Sequence, residues 1–245
     1  MFQKMVLLLG IFFTFFAVNK SFSQTDEEII SNFIKKQKEI SDMSKLKTLF
    51  QEFKVSIMGM EMPNKLWIKG DNMRYETSFM GQSTVVVVTP NSAWQVQNGA
   101  VTDLPSEQIP LVKQQLMGKT FAGMLNFSGE AFSSDYINFE IVGRENIEGV
   151  NCFQLKSSPK DTSGDNTSGI FWFEPKTYLL RKISLKGQEM GKEQNIDIFV
   201  KEYQQIGGLT FPKLVEIQMG DGQSAKIEYT TVKINEPLED SLFKK

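Results

Sequence analysis

The chain has no histidine among its 245 residues and one cysteine, Cys152. The first absence excludes histidine-based hydrolytic triads, Cys/His zinc sites and the commonest general acid or base. The second excludes an internal disulfide framework. Cys152 lies in the run VNCFQLKS and reads as a small buried hydrophobe. A reactive thiol would need an activating cation, and only Lys156 is near in sequence. Clusters of basic residues are missing as well. The 27 Lys and Arg are scattered among 29 Asp and Glu, which leaves no electrostatic footprint for nucleic acid. Gly-rich phosphate cradles are absent, since Gly207-Gly208 leads into the strand-like LTFPKLVEI and not into a helix. Asp161, Asp165 and their neighbours lack the spacing and closing glutamate of a calcium loop. No metal and no cofactor is expected.

Apolar runs long enough to span a bilayer are also lacking after the first residues. Residues 1–23 read as a signal peptide: Lys4, an uncharged apolar run from Met5 to Val18, then Asn19-Lys20-Ser21-Phe22-Ser23 with small residues suited to cleavage. Cleavage after Ser23 makes Gln24 the first residue, and no cysteine stands nearby to take a lipid anchor. Removing 23 residues leaves 222 and takes away Lys4 and Lys20, so the net charge moves from −2 to −4. That length suits one sheet-based domain, 24–245.

What the chain does have is alternation. Residues Leu49 to Val96 read as five amphipathic strands, LFQEFKVSIMGMEM, NKLWIKG, NMRYETSF, STVVVV and SAWQVQ. Turns are expected at Pro63-Asn64, Gly70-Asp71, Gly81-Gln82 and Pro90-Asn91. A period of two gathers Phe53, Val55 and Ile57 on one side, then Leu66 and Ile68, then Met73, Tyr75 and Phe79, then Trp94 and Val96. Met58, Met60 and Met62 alternate along one expected strand, and flexible thioethers suit a surface that repacks around apolar partners or a core that needs its gaps filled. Further strands are expected over 137–143, 151–157, 169–174, 179–186, 196–203, 210–219 and 225–234.

Two helices accompany them. Thr25 and Glu28 form a capping-box pattern ahead of Ile29, Ile30, Phe33, Ile34 and Ile40 at helical spacing. This stripe suits a helix that covers the open sheet better than one lying on a membrane. A second helix is expected over 107–117, with Ser106 as cap, Pro110 in the first turn and Gly118 at the end. Ile109, Val112 and Leu116 form its apolar side. The stretch from Ser157 to Ser168 reads as a polar surface loop, and the glycosylation sequons Asn126-Phe127-Ser128 and Asn166-Thr167-Ser168 are short enough to occur by chance.

Carboxylate pairs exist at Glu107 with Asp103, Glu130 with Asp135, Asp221 near Glu216, and Glu236 with Glu239 and Asp240. None sits in a motif that would drive two pKa values apart, so the chain is expected not to be an enzyme, and catalysis on lipids or glycans through Glu76, Glu130 or Asp135 is disfavoured. The apolar side chains are the better functional candidates. The expected fold class is α+β, an antiparallel sheet folded strongly around helices.

The order helix, strand, Leu66-Trp67-Ile68-Lys69, Met73-Arg74-Tyr75-Glu76, Asn91-Ser92-Ala93-Trp94 resembles the periplasmic lipoprotein carriers of the LolA/LolB type and their LolA-like relatives. The run from Ile234 to Phe243 looks like the closing segment of such proteins. One difference is plain: the carriers place Arg-Pro after the Trp-x-Lys, with the arginine linked to lid closure and cargo release, and this chain has Gly70-Asp71. The resemblance implies an antiparallel, strongly curved, unclosed half-barrel with helices packed in or over its hollow, and a soluble, monomeric periplasmic protein that shelters acylated cargo, a lipoprotein or a lipid, and meets membrane-bound donor or acceptor proteins. Its ligand-binding hollow would comprise Phe53, Val55, Ile57, Leu66, Ile68, Met73, Tyr75, Phe79, Trp94 and Val96, with Ile30, Phe33 and Ile34 on the lid helix. The alternative is a non-catalytic envelope sensor or protein-interaction module on the same fold.

Overall fold

The computed structural model describes residues 24–41, 46–120, 137–160, 168–189, 192–220 and 222–245. The signal-peptide segment 1–23, Glu130, Asp135, Asp161, Asp165, Asp221, the sequon at 126–128 and most of the one at 166–168 lie outside these residues.

Helix α1 (Asp26–Ser41) comes first, followed by strands β1 (Thr48–Ile57), β2 (Met60–Lys69), β3 (Asn72–Phe79), β4 (Gln82–Val88), β5 (Ala93–Gln97) and β6 (Ala100–Leu104). A 3-10 turn at Ser106–Gln108 leads into helix α2 (Ile109–Gly118). The second run is β7 (Ile137–Ile147), β8 (Val150–Pro159), β9 (Gly169–Phe173), β10 (Leu180–Glu189), β11 (Lys192–Ile206), β12 (Leu209–Met219) and β13 (Ser224–Ile234). All strands form one antiparallel sheet in the order β6-β5-β4-β3-β2-β1-β13-β12-β11-β10-β9-β8-β7. Among the described residues the two meanders meet only where β1 pairs with β13, and the sheet does not close, which makes it an α+β half-barrel.

Two-residue turns set this meander. Met58-Gly59, Met80-Gly81, Asn98-Gly99, Glu148-Gly149 and Gly207-Gly208 each hold both residues at positive φ, the geometry whose twist matches that of the flanking strands. The first of them corrects the expected turn at Pro63-Asn64. The run LFQEFKVSIMGMEM is not one strand but two, folded at Met58-Gly59. Pro63 lies inside β2, one residue past the Asn64–Thr77 pair at the end of the β2–β3 ladder, where a missing N–H is tolerated. Met58 is thus a turn residue, and only Met60 and Met62 belong to a strand face. Strand β6, unexpected from the sequence, follows the Asn98-Gly99 turn.

Both helices form where patterned. The Thr25 backbone N–H donates to Glu28 Oε2 (3.2 Å) and the Glu28 N–H to Thr25 Oγ1 (3.3 Å), a reciprocal capping box. Ser106 does not cap α2, because it opens the 3-10 turn instead and Gln108 occupies the cap position without a side-chain bond. Gly118 is the last helical residue, and the Lys119 and Thr120 N–H groups close the end on Leu116 and Met117 carbonyls.

A candidate binding face under two helices

Cross-strand pairing decides which side chains share the inner face. From β1 outward, the rung Leu49–Ile68–Met73–Val88–Ala93 and the rung Gln51–Leu66–Tyr75–Val86–Gln95 each cross the first wall, and Phe53 pairs with Tyr229 of β13 on the same side. Phe53, Leu66, Met73 and Tyr75 are buried there, with Val55 and Ile68 half-buried against the same cluster. Leu116 of α2 is buried among them, and Ile109, Val112 and Ile40 of α1 pack on the same cluster.

Trp94 and Val96 do not belong to this face. The four-residue connection 89–92 pairs Val88 with Ala93, so Ala93 and Gln95 face inward while Trp94 and Val96 turn to the outer face. There Trp94 and Val87 are buried with Phe243, flanked by Trp67, Val85, Val96, Leu238 and Leu242. Residues 235–245 run as a strap over this outer face. The Lys69 ammonium donates to the Leu238 carbonyl (2.9 Å) and pairs with Asp240 (2.6 Å), and Arg74 donates to the Leu242 carbonyl (3.1 Å).

Helix α1 covers the opposite wall to the one its stripe was expected to cover. Phe33 is fully buried and stacks on Phe173 of β9 (centroids 4.3 Å apart), with Phe171 at 6.4 Å. Ile29, Ile30 and Ile34 join Phe153, Leu155, Leu180, Ile183 and Val200 in one cluster on β8–β11. Buried Gln37 donates to the Tyr178 carbonyl (2.8 Å), which pins the helix to the β9–β10 connection. Only Ile40 reaches the first wall. The cover of the first wall is α2, held by Lys113 to Asp71 of the β2–β3 turn (2.5 Å), while Lys119 sits 4.7 Å from the centre of the Tyr75 ring. Gly70-Asp71 therefore forms the turn that receives the α2 tether.

Beyond the helices, the inner face continues toward the β1–β2 and β3–β4 turns without full cover. Ile57 pairs with Met60 and Val55 with Met62, all partly accessible; Phe79 at the end of β3 is 39 % exposed and Met60 40 %. Met58 and Met80 project from the turn tips, 69 % and 79 % exposed. A large apolar patch at the rim of a face that is otherwise core marks a place where something apolar can enter.

The polar groups offer little chemistry. Cys152 is buried on the outer face with Ile147 and Trp172, and burial pushes its thiol pKa up, away from thiolate reactivity. Glu76 is bound by Arg74 (2.6 Å), Asp103 by Lys245, Glu216 by Lys201 (3.2 Å) and Glu236 by Lys233 (3.3 Å), ordinary surface pairs in each case. Among the described residues, no three His, Cys, Asp or Glu gather as metal ligands, and no helix is long and apolar enough to cross a membrane.

A family model described as "-like: Uncharacterized protein" matches residues 110–245, more than half of the chain. The chain belongs to that family. In structure it matches a LolA superfamily protein from Nitrosomonas europaea with a TM-score of 0.51 at 12 % identity, covering 89 % of this chain and 98 % of the other. A DUF1329 family protein from Desulfovibrio piger matches with a TM-score of 0.52 at 14 % identity, over 88 % and 97 %. The fold is LolA-like. No curated protein matches in sequence. In this LolA-like sheet, the helix-covered inner face and its accessible rim are the candidate site.

Proposed function

We propose that this LolA-like protein is an exported, non-catalytic carrier that shelters an acylated molecule, a lipoprotein or a lipid, between its sheet and its two helices. The observation that carries the reading is the continuity of the apolar inner face past its cover, from buried Phe53, Leu66 and Met73 to accessible Ile57, Met60 and Phe79. An acyl chain entering at that rim meets apolar surface at every step inward, and α2 rests on the first wall through Leu116, Ile109 and Val112, with an exposed ion pair and a cation–ring contact beside them. Lifting α2 lengthens the apolar track. Burial of a few hundred Å² of acyl surface, at about 25 cal/mol per Å², contributes several kcal/mol before the cost of ordering the ligand. The carrier works as a monomer in the periplasm and takes its cargo from, or gives it to, membrane-bound partners.

Ile57→Asp tests this at the rim. Ile57 is half-buried and belongs to no core cluster, so the melting temperature is expected to shift by only a few degrees, from about 1 kcal/mol of lost packing. Affinity for an acylated peptide, measured by fluorescence titration, should fall about tenfold or more, since a carboxylate then lies on the entry path. Undiminished affinity, or protein purified from its own host that releases no lipid on organic extraction and binds no acylated peptide, would overturn the reading.

A further inference from the structure

The run Met58-Gly59-Met60-Glu61-Met62 carries three thioethers that the fold does not account for. Met58 holds φ at 51°, a left-handed position that glycine, asparagine and aspartate occupy at least cost, and it projects an apolar chain into solvent. Met60 is exposed as well, and none of the three belongs to a core cluster. Packing therefore does not select methionine here. Met60 pairs with Ile57 and Met62 with Val55, so both side chains lie on the inner face at the open end of the β1–β2 hairpin. Residues two apart in a strand stand about 7 Å apart, a gap that two unbranched side chains with three rotatable bonds each can close. Met58 occupies the tip, two residues before Met60. Glu61 takes the other face, where it pairs with Lys54 (3.6 Å), so the carboxylate of this run stands apart from its sulfurs.

We propose that Met58, Met60 and Met62 form a thioether site for a soft monovalent cation, Cu(I) or its analogue Ag(I). Thioether sulfur is a soft, neutral donor that holds Cu(I), whereas zinc prefers imidazole and thiolate, and calcium and magnesium prefer oxygen. Neither imidazole nor an accessible thiolate competes. The chain has no histidine, and its one thiol, Cys152, is buried with its pKa raised. Three sulfurs give Cu(I) an uncharged, three-coordinate set, and the exposed tip lets it enter without any movement of the helices. The metal arrives as Cu(I) and leaves as Cu(I), so no electron is transferred. Met80 tips the neighbouring β3–β4 turn, but the β2–β3 ladder ends at the Asn64–Thr77 pair and does not hold that tip in register with the row. The site goes beyond the carrier reading and does not depend on it.

Titration of the signal-free chain with Ag(I) in chloride-free buffer, and with Cu(I) kept reduced by ascorbate in competition with a chromophoric Cu(I) chelator, reads stoichiometry and affinity. One cation should bind per chain. With isotope-labelled methionine methyl groups, the Met58, Met60 and Met62 signals should move together on adding Ag(I) while that of fully buried Met73 stays. Leucine keeps the volume and apolarity of methionine and removes the sulfur. Met60→Leu and Met58→Leu should each weaken both cations by about tenfold or more, whereas Met80→Leu should leave them within about twofold. Met58 lies at an exposed turn tip, so its variant keeps the test readable should Met60→Leu not fold. Absence of binding by the unaltered chain, unchanged affinity in Met58→Leu or Met60→Leu, a loss in Met80→Leu as large as in Met60→Leu, or Zn(II) bound as tightly as Cu(I) would overturn the site. None of these outcomes bears on the carrier reading, which stands or falls on acylated-peptide binding.

Discussion

Two phenols lie in the sheet, Tyr229 buried and Tyr203 half-buried. Tyr203 donates to the Leu180 carbonyl (2.9 Å) and Tyr229 lies against Phe53, 5.4 Å between ring centres; burial raises the pKa of both well above the ordinary phenol value. In the unfolded chain the same groups lose their protons near pH 10, so the unfolded state binds fewer protons than the folded state above that pH, and stability must fall as pH rises. The urea midpoint is therefore expected to drop between about pH 9 and about pH 11, with the phenolate absorbance of Tyr203 and Tyr229 rising only as the protein unfolds. Early phenolate formation by both in the folded protein would contradict their burial. At this scale, the sequence made the apolar alternation along each strand legible, so Phe53, Leu66, Met73 and Tyr75 could be grouped correctly. It did not reveal parity between strands. The length of the connection decides whether Ala93 or Trp94 faces inward, and residues 89–92 carry no mark of the Val88–Ala93 pair they create.

Elements were read well where a local interaction defines their ends. The capping box of α1 is one such case, and Thr25→Ala should cost about 1 kcal/mol, measured by chemical denaturation. The turn at Met58-Gly59 was not legible because methionine at positive φ is outside the Asn-Gly and Asp-Gly signature; Asn98-Gly99 does match that signature, yet β6 after it was not expected because AVTDL is short and lacks apolar alternation. The destination of α1 was not legible either. A stripe of Ile29, Phe33 and Ile40 says that the helix must be covered, not by which wall. What holds α2 is open to test. Its Lys113 bond depresses the Asp71 pKa, so this tether is in force above the ordinary carboxylate pKa and is lost as pH falls through the lowered folded value, below about pH 4. Asp71→Asn should therefore leave the melting temperature nearly unchanged and speed hydrogen exchange of the α2 amides at neutral pH. Identical exchange in the two proteins would assign the hold on α2 to its remaining contacts, the apolar packing of Leu116, Ile109 and Val112 and the Lys119–Tyr75 contact.

Across the whole molecule, the two faces of the sheet do different work. The inner face meets the helices, and the outer face of the first wall is finished by residues 235–245, in which Phe243 is buried against Val87 and Trp94. Phe243→Ala should lower stability by about 3 kcal/mol and shift tryptophan emission to the red as water reaches Trp94, without altering affinity for an acylated peptide on the other face. A loss of affinity equal to the loss of stability would mean that the two faces are not independent. The order of strands has a further consequence. Among the described residues, β1 is the first strand of the sheet to leave the ribosome and β13 the last, yet the β1–β13 pair is the only ladder joining the two meanders. Translation must reach β13 before the two walls can be joined, although each wall is itself a run of consecutive strands. The joined inner face therefore exists only once the last strand of the sheet has been made.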